Sequence, residues 1–486
     1  MTTTELNVGS FIAGEVIRSD QATFESVNPA DGSTFAQVAI STADEIDHAV
    51  AIAVEAQRAW AELTSDERAR AMWTWAEQIE ANAEEIARLD VQDMGKLLRE
   101  ARMEMGAGAR TVRYWSSVAA RPEDALLPDV AGHLSYTRRE PLGVVAIVLP
   151  WNGPAITFIA RVASAIACGN AVVVKPSELS PVSAVRLAQL TVAAGIPVGL
   201  VNVVQGDGGV GATLVGHERV SGVSFTGSVP TGRAIASAVA PSFKSTVLEL
   251  GGKGPVVVFD DVDLDEVARS TVWGCFQNAG QVCCAGTRVL VSRNRQKELD
   301  DLLAGLTAKV RVGHPEDEDA HIGPLVSRGQ LERVEAHVAS AVASGVGPRV
   351  GGARVDRAGF YFTPTLFTGM SPDAALVRNE IFGPVLTTVA FDDEDEAVWL
   401  ANSTSYGLAA MIWTRDGARG HRVAAALDSG VVWVNSPRLM DPALPFGGFK
   451  DSGVGNASGP EAIVGLTKVK RVSVRTSVVP YPGWDL

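Results

Sequence analysis

The feature that most constrains the fold of this chain is a series of short, almost wholly apolar runs rich in β-branched residues, each ending in a turn. They are Val144-Val145-Ala146-Ile147-Val148, Ala171-Val172-Val173-Val174, Val201-Asn202-Val203-Val204 and Val223-Ser224-Phe225, with helical segments between them. A strand that is apolar on both faces has to be covered on both faces, so the pattern predicts an α/β fold built on a parallel sheet. In such sheets ligands bind beyond the carboxyl ends of the strands. Polar and glycine-containing segments fall at those ends here: Asn152, Lys175-Pro176-Ser177-Glu178 and Thr226-Gly227-Ser228. A second α/β region is expected from Gly251 onward, carrying Cys283, Glu380-Ile381-Phe382-Gly383-Pro384-Val385 and the run Val431-Val432-Trp433-Val434-Asn435.

The first 120 residues read as mostly helical. Thr42-Ala43-Asp44-Glu45 is a capping box, opening a helix with Ile46, Ala49, Val50, Ala53 and Trp60 on one face. A second amphipathic stretch is expected over Ser65 to Leu98, and no internal repeat is visible. Leu134-Ser135-Tyr136-Thr137 and Arg471-Val472-Ser473-Val474-Arg475 alternate as edge strands do, which makes them candidates for pairing with another subunit. Pro141 to Ala160 carries no charge, yet Pro141, Pro150 and Pro154 break it into a buried strand and a loop rather than a membrane span.

Composition narrows the function classes. A length of 486 residues suggests about two to four domains. A net charge of −14 argues against nucleic acid or an anionic membrane as partner, though not against a local basic pocket. With only four cysteines, Cys168, Cys275, Cys283 and Cys284, reduced thiols and a cytoplasmic setting are expected, and the N-terminus lacks the pattern of a signal peptide.

Two segments carry chemistry of their own. Cys283 lies in the small-residue turn Gly280-Gln281-Val282-Cys283-Cys284-Ala285-Gly286. Glu249 precedes Leu250-Gly251-Gly252-Lys253, where two glycines let backbone pass close to a ligand. A thiolate can add to a carbonyl carbon, and a nearby carboxylate can activate the water that hydrolyses the resulting thioester. The commoner fates are plainer: a free Cys is usually an inert small hydrophobe, and a strand-end Glu is usually solvated. No second Cys/His cluster stands at zinc-ligand spacing, so no metal is expected. Cys168 and Cys275 read as core.

Taken in order, Pro150-Trp151-Asn152, Lys175-Pro176-Ser177-Glu178, Phe225-Thr226-Gly227-Ser228, Glu249-Leu250-Gly251-Gly252-Lys253, Gly280-Gln281-Val282-Cys283, Glu380-Ile381-Phe382-Gly383-Pro384 and Pro445-Phe446-Gly447-Gly448 resemble the aldehyde dehydrogenase superfamily, over nearly the whole chain. The resemblance implies a Rossmann-type dinucleotide-binding domain over 1–119 and 142–250, a catalytic α/β domain over 251–451, and a bridging oligomerisation element from 120–141 and 452–486. It implies that Cys283 is the nucleophile, that Glu249 is the general base for deacylation, and that Asn152 forms an oxyanion hole with the Cys283 N–H. Such a donor is worth about 3–4 kcal/mol of barrier. It also assigns cofactor contacts to Trp151, Lys175, Ser177, Glu178, Gly227, Ser228, Gly232, Glu380 and Phe382. A carboxylate at Glu178 accepts hydrogen bonds from a ribose 2′-hydroxyl and repels a 2′-phosphate, which favours NAD over NADP. Gly206-Asp207-Gly208-Gly209-Val210-Gly211 carries a dinucleotide-type glycine spacing outside the usual place, and reads as a loop.

The chain also departs from the family pattern. Asn456 and Ala457 follow Ser452-Gly453-Val454-Gly455 where Arg-Glu is usual, and Arg161 stands where a Lys assists proton exit. Gly153, Ala160 and Met440 replace bulkier side chains around the substrate tunnel, with Trp151, Phe158 and Phe446 as remaining walls. The expected substrate is therefore an aldehyde bulkier than acetaldehyde, aromatic or long-chain. Arg438 reads first as a solvated or subunit-facing arginine, and alternatively as the partner of a substrate carboxylate. The expected protein is a homodimer or homotetramer that oxidises an aldehyde with NAD. The alternatives are a coenzyme-A-acylating relative, disfavoured by Glu249, a catalytically silent NAD-binding member, and esterase chemistry at Cys283.

Overall fold

The computed structural model describes residues 6–18, 22–120, 125–130, 132–436 and 438–477. The apolar runs become parallel strands at Val144–Val148, Ala171–Lys175, Val201–Val203 and Val220–Thr226, joined by Ser245–Glu249. Across the sheet the order is Ser245–Glu249, Val220–Thr226, Val144–Val148, Ala171–Lys175, Val201–Val203. The first strand in sequence therefore lies in the middle. Successive strands grow to one side and then the other, so the direction of growth reverses between Val144–Val148 and Val220–Thr226. A crevice opens at such a reversal, and ligands occupy it. Antiparallel additions extend both edges: Gly453–Val454 beside Ser245–Glu249, and Ser10–Ile12 with Glu15–Ile17 beyond Val201–Val203.

A second, six-stranded parallel sheet runs Thr365–Phe367, Val385–Phe391, Arg288–Ser292, Pro255–Val258, Ala409–Trp413, Val431–Val434. Its side chains alternate between two cores. Val257, Leu290, Val389 and Ile412 enter one, while Val256, Val258, Val289, Val291 and Met411 enter the other. Burial on both faces is what makes these strands read as continuous apolar runs.

The capping box at Thr42 forms as expected. Its hydroxyl accepts from the Glu45 N–H at 3.2 Å and the Glu45 carboxylate accepts from the Thr42 N–H at 2.7 Å, and the five residues assigned to its inner face are buried. Two expectations need correction. The helical reading of the first 120 residues holds only from Ala43, because Leu6–Val8, Thr34–Ala39 and Thr23–Val27 form a three-stranded sheet before it. These strands are short, and their two-residue alternation is outweighed by the long helical periods that follow. The amphipathic stretch over Ser65–Leu98 is two helices, Ser65–Ala81 and Ala83–Met94, with Leu98–Ala120 beginning a third. Gly95 ends the second in the left-handed region at φ 80°, where a Cβ would stand 2.6 Å from Pro324 Cγ.

The two candidate edge strands pair with each other. Thr467–Arg475 runs antiparallel along His133–Pro141, with Leu126–Val130 on the far side, and this leaves Thr467–Arg475 at the edge of its sheet. The uncharged stretch Pro141–Ala160 contains a buried strand, a loop, and the start of the helix Pro154–Ala167. Among the described residues no helix is long and apolar enough to cross a membrane.

Candidate active site

A cavity of about 450 Å³ opens where the sheet order reverses. Asn152, Glu249 and Cys283 line it together with Trp151, Lys175, Ser177, Glu178, Gly227, Ser228, Glu380 and Phe382. Each reaches it from the carboxyl end of a strand or from a loop that local sequence shapes. Asn152 follows Val144–Val148 and precedes the helix that Pro154 opens. Its side-chain amide donates to the Gln281 carbonyl at 2.8 Å, and its own carbonyl accepts from Asn278 Nδ2 at 3.0 Å. An amide nitrogen carries two hydrogens, so one remains for the cavity.

The loop that carries Cys283 is tightly determined. Asn278 and Ala279 hold φ of 52° and 55°, and Phe382, which lines the cavity, holds 57°. Residues other than glycine sit there rarely and at a cost of roughly 1–3 kcal/mol, and such strain clusters at functional sites. Gly280 is required in the same loop, since φ is 75° and a Cβ would lie 2.2 Å from the Gly383 carbonyl oxygen. The Gln281 side chain ties the loop down, donating to Asn278 and accepting from the Val326 N–H.

The glycines after Glu249 are explained by the same crowding. A Cβ on Gly251 would lie 2.2 Å from Glu380 Oε2, and one on Gly252 2.6 Å from the Cys283 carbonyl oxygen. The Gly252 N–H also donates to Glu380 Oε1 at 2.9 Å. This backbone therefore threads between the cavity carboxylate and the thiol loop.

Glu249 is 3% exposed, and neither carboxylate oxygen has a hydrogen-bond partner among the described residues. Burial pushes its pKa up to about 8, against the opposing pull of Arg161. Arg161 donates to the Ala457 carbonyl at 2.9 Å and to Thr226 Oγ1 at 3.2 Å. Two of the positions that depart from the family pattern, Arg161 and Ala457, thus touch each other, with a backbone carbonyl receiving the guanidinium. Hydrogen bonding to Cys284, burial, and the carboxylates of Glu249 and Glu380 together hold the Cys283 thiol above its ordinary range. Cys275 is fully buried in the core, and burial raises its thiol to about 12.

In the other arm of the cavity, Lys175 Nζ lies 3.2 Å from Glu178 Oε2. Ser228 caps the helix Val229–Val239, and the Trp151 and Phe382 rings meet edge to face at 5.1 Å. Gly232 does not line the cavity. It lets this helix close on Leu250, whose Cδ2 would be 2.6 Å from a Cβ there. The segment read as a loop at Gly206–Gly211 instead opens the helix Gly208–Gly216, capped by Asp207, and Gly208, Gly211, Ala212 and Val215 line the cavity. The glycine spacing was the available signal; its place after the third parallel strand rather than the first concealed it. Gln330 and Arg333 also line the cavity, from the helix Arg328–Ala343, and no local pattern marked them.

The tunnel residues are not gathered in this cavity. Gly153 caps the helix Pro154–Ala167, Ala160 and Phe446 are half-buried, and Met440 is exposed. Phe158 belongs elsewhere: it is fully buried in the core, on the stripe of that helix formed with Ala155, Ile159 and Val162. Its side chain is wholly enclosed by that core, so it is not available as a substrate wall.

Comparison with known proteins agrees with this geometry. The aldehyde dehydrogenase family model matches residues 16–472. An aldehyde dehydrogenase from Bacillus cereus, solved as its NAD+ complex, is 37% identical, with 97% of each chain covered and a TM-score of 0.95. An NAD-dependent aldehyde dehydrogenase from Sinorhizobium meliloti is 36% identical over 99% of this chain and 97% of its own, with a TM-score of 0.96. A betaine aldehyde dehydrogenase from Staphylococcus aureus, in complex with NAD+, is 32% identical over 99% and 97%, with a TM-score of 0.95. A parallel sheet with a crevice at its reversal, a strained cysteine loop beside a buried carboxylate, and a family match over nearly its full length place this chain in the aldehyde dehydrogenase family.

Proposed function

We propose that this protein oxidises an aldehyde to a carboxylic acid with NAD, through a covalent intermediate on Cys283. The observation that carries the reading is the convergence of the Cys283 thiol, the unpaired buried Glu249 carboxylate and the Asn152 amide on one cavity. The aldehyde, water and NAD+ become the carboxylate, NADH and two protons.

The residues in the cavity suit a dinucleotide. Gly208, Gly211 and Gly227 leave room where side chains would intrude, and the positive end of the helix Val229–Val239, with its cap Ser228, suits a pyrophosphate. Lys175, Ser177 and Glu178 are placed to hold the adenosine ribose, Glu380 the nicotinamide ribose, and Trp151 and Phe382 the ring. Bound NAD supplies the hydride acceptor. Glu178→Ala is expected to lower the NAD-to-NADP ratio of kcat/KM about tenfold, the scale of one charge-assisted hydrogen bond. Steady-state kinetics with each cofactor checks this.

On the protein side, Cys283 gives its thiol proton to water, the thiolate Sγ adds to the carbonyl carbon and the former carbonyl oxygen becomes an oxyanion. The spare Asn152 amide hydrogen and the Cys283 N–H stabilise it. After hydride loss the adduct is a thioester. Glu249, ionised, takes a proton from water as the water attacks, and acid and free thiol are released. Arg161 keeps its proton throughout, because a guanidinium does not deprotonate in proteins. Its charge favours the ionised form of Glu249 instead of relaying a proton.

We assign the dinucleotide-binding domain to 1–119 and 142–250, the catalytic domain to 251–451, and the bridging element to 120–141 and 452–486, whose Gly453–Val454 also closes one edge of the dinucleotide-binding sheet. The free edge of Thr467–Arg475 supports assembly as a homodimer or homotetramer. The small side chains at Gly153 and Ala160, which leave space that bulkier residues would fill, support a substrate bulkier than acetaldehyde. The test is NADH formation across aliphatic, aromatic and carboxylated aldehydes. Long-chain or aromatic aldehydes are expected to exceed acetaldehyde in kcat/KM, and a strong preference for acetaldehyde overturns the tunnel reading.

A further inference from the structure

Three ionisable side chains that the proposed chemistry does not use are sealed behind the Asn152 turn. Asp90, Asp93 and Lys96 are 0%, 0% and 2% exposed, near the end of the helix Ala83–Met94 and just past it. Burying a charge is costly unless hydrogen bonds or an opposite charge compensate it, so three together need a reason. Two helices supply part of it. Pro154–Ala167 follows the strand that leads to Asn152, and Val182–Ala193 follows the strand that leads to Lys175 and Glu178. Their N-cap residues, Gly153 and Pro181, have no side-chain oxygen with which to cap them. The first N–H groups of a helix have no partner within it. Asp90 Oδ2 accepts from the Ala155 N–H at 3.3 Å, and Asp93 Oδ2 accepts from the Val182 N–H at 2.7 Å. One helix therefore caps both of the others from a distance.

The two caps serve different turns. Asp93 is tied to the Ser26 hydroxyl as well. Asp90 is joined by Lys96, whose ammonium would stand 4.0 Å from a Cβ on Gly153 and is held by the Glu104 carboxylate. Burial raises the Asp90 carboxyl to about 6, and the Lys96 charge opposes that rise. Asp90 and Lys96 thus bracket Gly153, the residue that follows Asn152. Glycine restricts its own backbone less than any other residue, so Gly153 does not hold the turn by itself. On its other side Asn152 is bonded to the thiol loop, through the Gln281 carbonyl and Asn278 Nδ2. An oxyanion donor works only when its hydrogen is aimed at the place where charge develops, and a misplacement of about 1 Å can cost a hundredfold in rate.

We propose that Asp90 and Lys96 are positioning residues for the oxyanion hole, clamping residues 153–155 from behind so that the Asn152 amide stays aimed at the carbonyl oxygen of a substrate on Cys283. This rests on the reading of Asn152 as the oxyanion donor. Neither Asp90 nor Lys96 lines the cavity, so their loss slows acylation and leaves NAD binding in place.

A double-mutant cycle in the full-length protein tests this, read as kcat/KM for the aldehyde that wild type turns over fastest. Asp90→Ala should lower it about 10- to 100-fold and Lys96→Met by a smaller factor, with the KM for NAD within about twofold of wild type. Asp90→Asn, which keeps an acceptor oxygen for the Ala155 N–H, should restore most of the loss. In an Asn152→Ala background no amide is left to aim, and Asp90→Ala should change kcat/KM by less than about twofold. Asp93→Ala removes the same kind of cap from the other helix and should act additively with Asn152→Ala. No loss in Asp90→Ala, a loss equal in both backgrounds, or equal coupling for Asp93→Ala overturns the proposal. If Asp90→Ala does not fold well enough to bind NAD, Lys96→Met carries the same cycle. A second readout needs no turnover. Deuterium exchange at the amides of residues 155–158 should quicken in Asp90→Ala and Lys96→Met, whereas in Asp93→Ala the quickening should fall on residues 182–185. Unchanged exchange at 155–158 also overturns the proposal. If wild-type protein yields no NADH from any aldehyde, the proposed function falls, and exchange alone decides whether Asp90 and Lys96 hold the turn. If it turns over and the cycle shows no coupling, only this inference fails.

Discussion

Replacing Cys283 with serine is expected to lower NADH formation by about ten-thousand-fold or more, while NAD binding persists. A hydroxyl in place of a thiol is a weak nucleophile at neutral pH, and losing a nucleophile costs at least that much where covalent chemistry carries the reaction. The fold should survive, because the thiol faces the cavity and the loop is held by Asn278, Gln281 and Gly280 rather than by sulfur. The adjacent Cys284 makes the experiment sharper. It is buried and does not line the cavity. Cys284→Ala should therefore keep most of the activity that Cys283→Ser loses. If the two variants behave the other way round, the nucleophile has been assigned to the wrong sulfur. Isothermal titration with NAD separates a chemical loss from a folding loss.

Glu249→Gln is expected to trap the reaction halfway. One NADH should form per active site in a rapid burst, followed by turnover about a hundred- to ten-thousand-fold slower than wild type, the usual range for a removed general base. Mass spectrometry of the quenched protein should find the acyl group on Cys283. The pH dependence gives a second handle. Burial raises Glu249 to about 8, and a base works only when ionised. Wild-type deacylation should therefore rise with pH, level off above about 8, and be lost as pH falls below that value. Glu249→Gln should lack this limb. Absence of a burst would place Glu249 earlier, as the base that removes the proton from Cys283, whose raised thiol pKa makes such help useful. In either case hydroxylamine should speed the variant only if a thioester accumulates.

Much of the architecture was legible locally. Runs such as Val144–Val148 and Ala171–Val174 announce buried parallel strands because every side chain must be apolar. Thr42 and Glu45 announce a helix start because their bonds close within one turn. The early strands Thr23–Val27 and Thr34–Ala39 were missed because their stability comes from pairing with each other and with Leu6–Val8, not from any long local period. Phe158 was misplaced for a related reason. The family resemblance offered it as a substrate wall, but packing encloses its side chain in the core.

By itself, the sequence determined the two parallel sheets, the order of the chemical segments, and the thiol, carboxylate and amide worth testing. All of these rest on residue type and short-range period. Only the tertiary structure decided which of them meet. It brought Asn152 against the Gln281 carbonyl, threaded Gly251 and Gly252 between Glu380 and Cys283, and made a cavity wall of the helix Gly208–Gly216. It set Arg161 on the Ala457 carbonyl, so that two departures from the family pattern meet. Such meetings join residues tens to hundreds of positions apart, and they follow from how helices and sheets close-pack, which no local window of the chain contains.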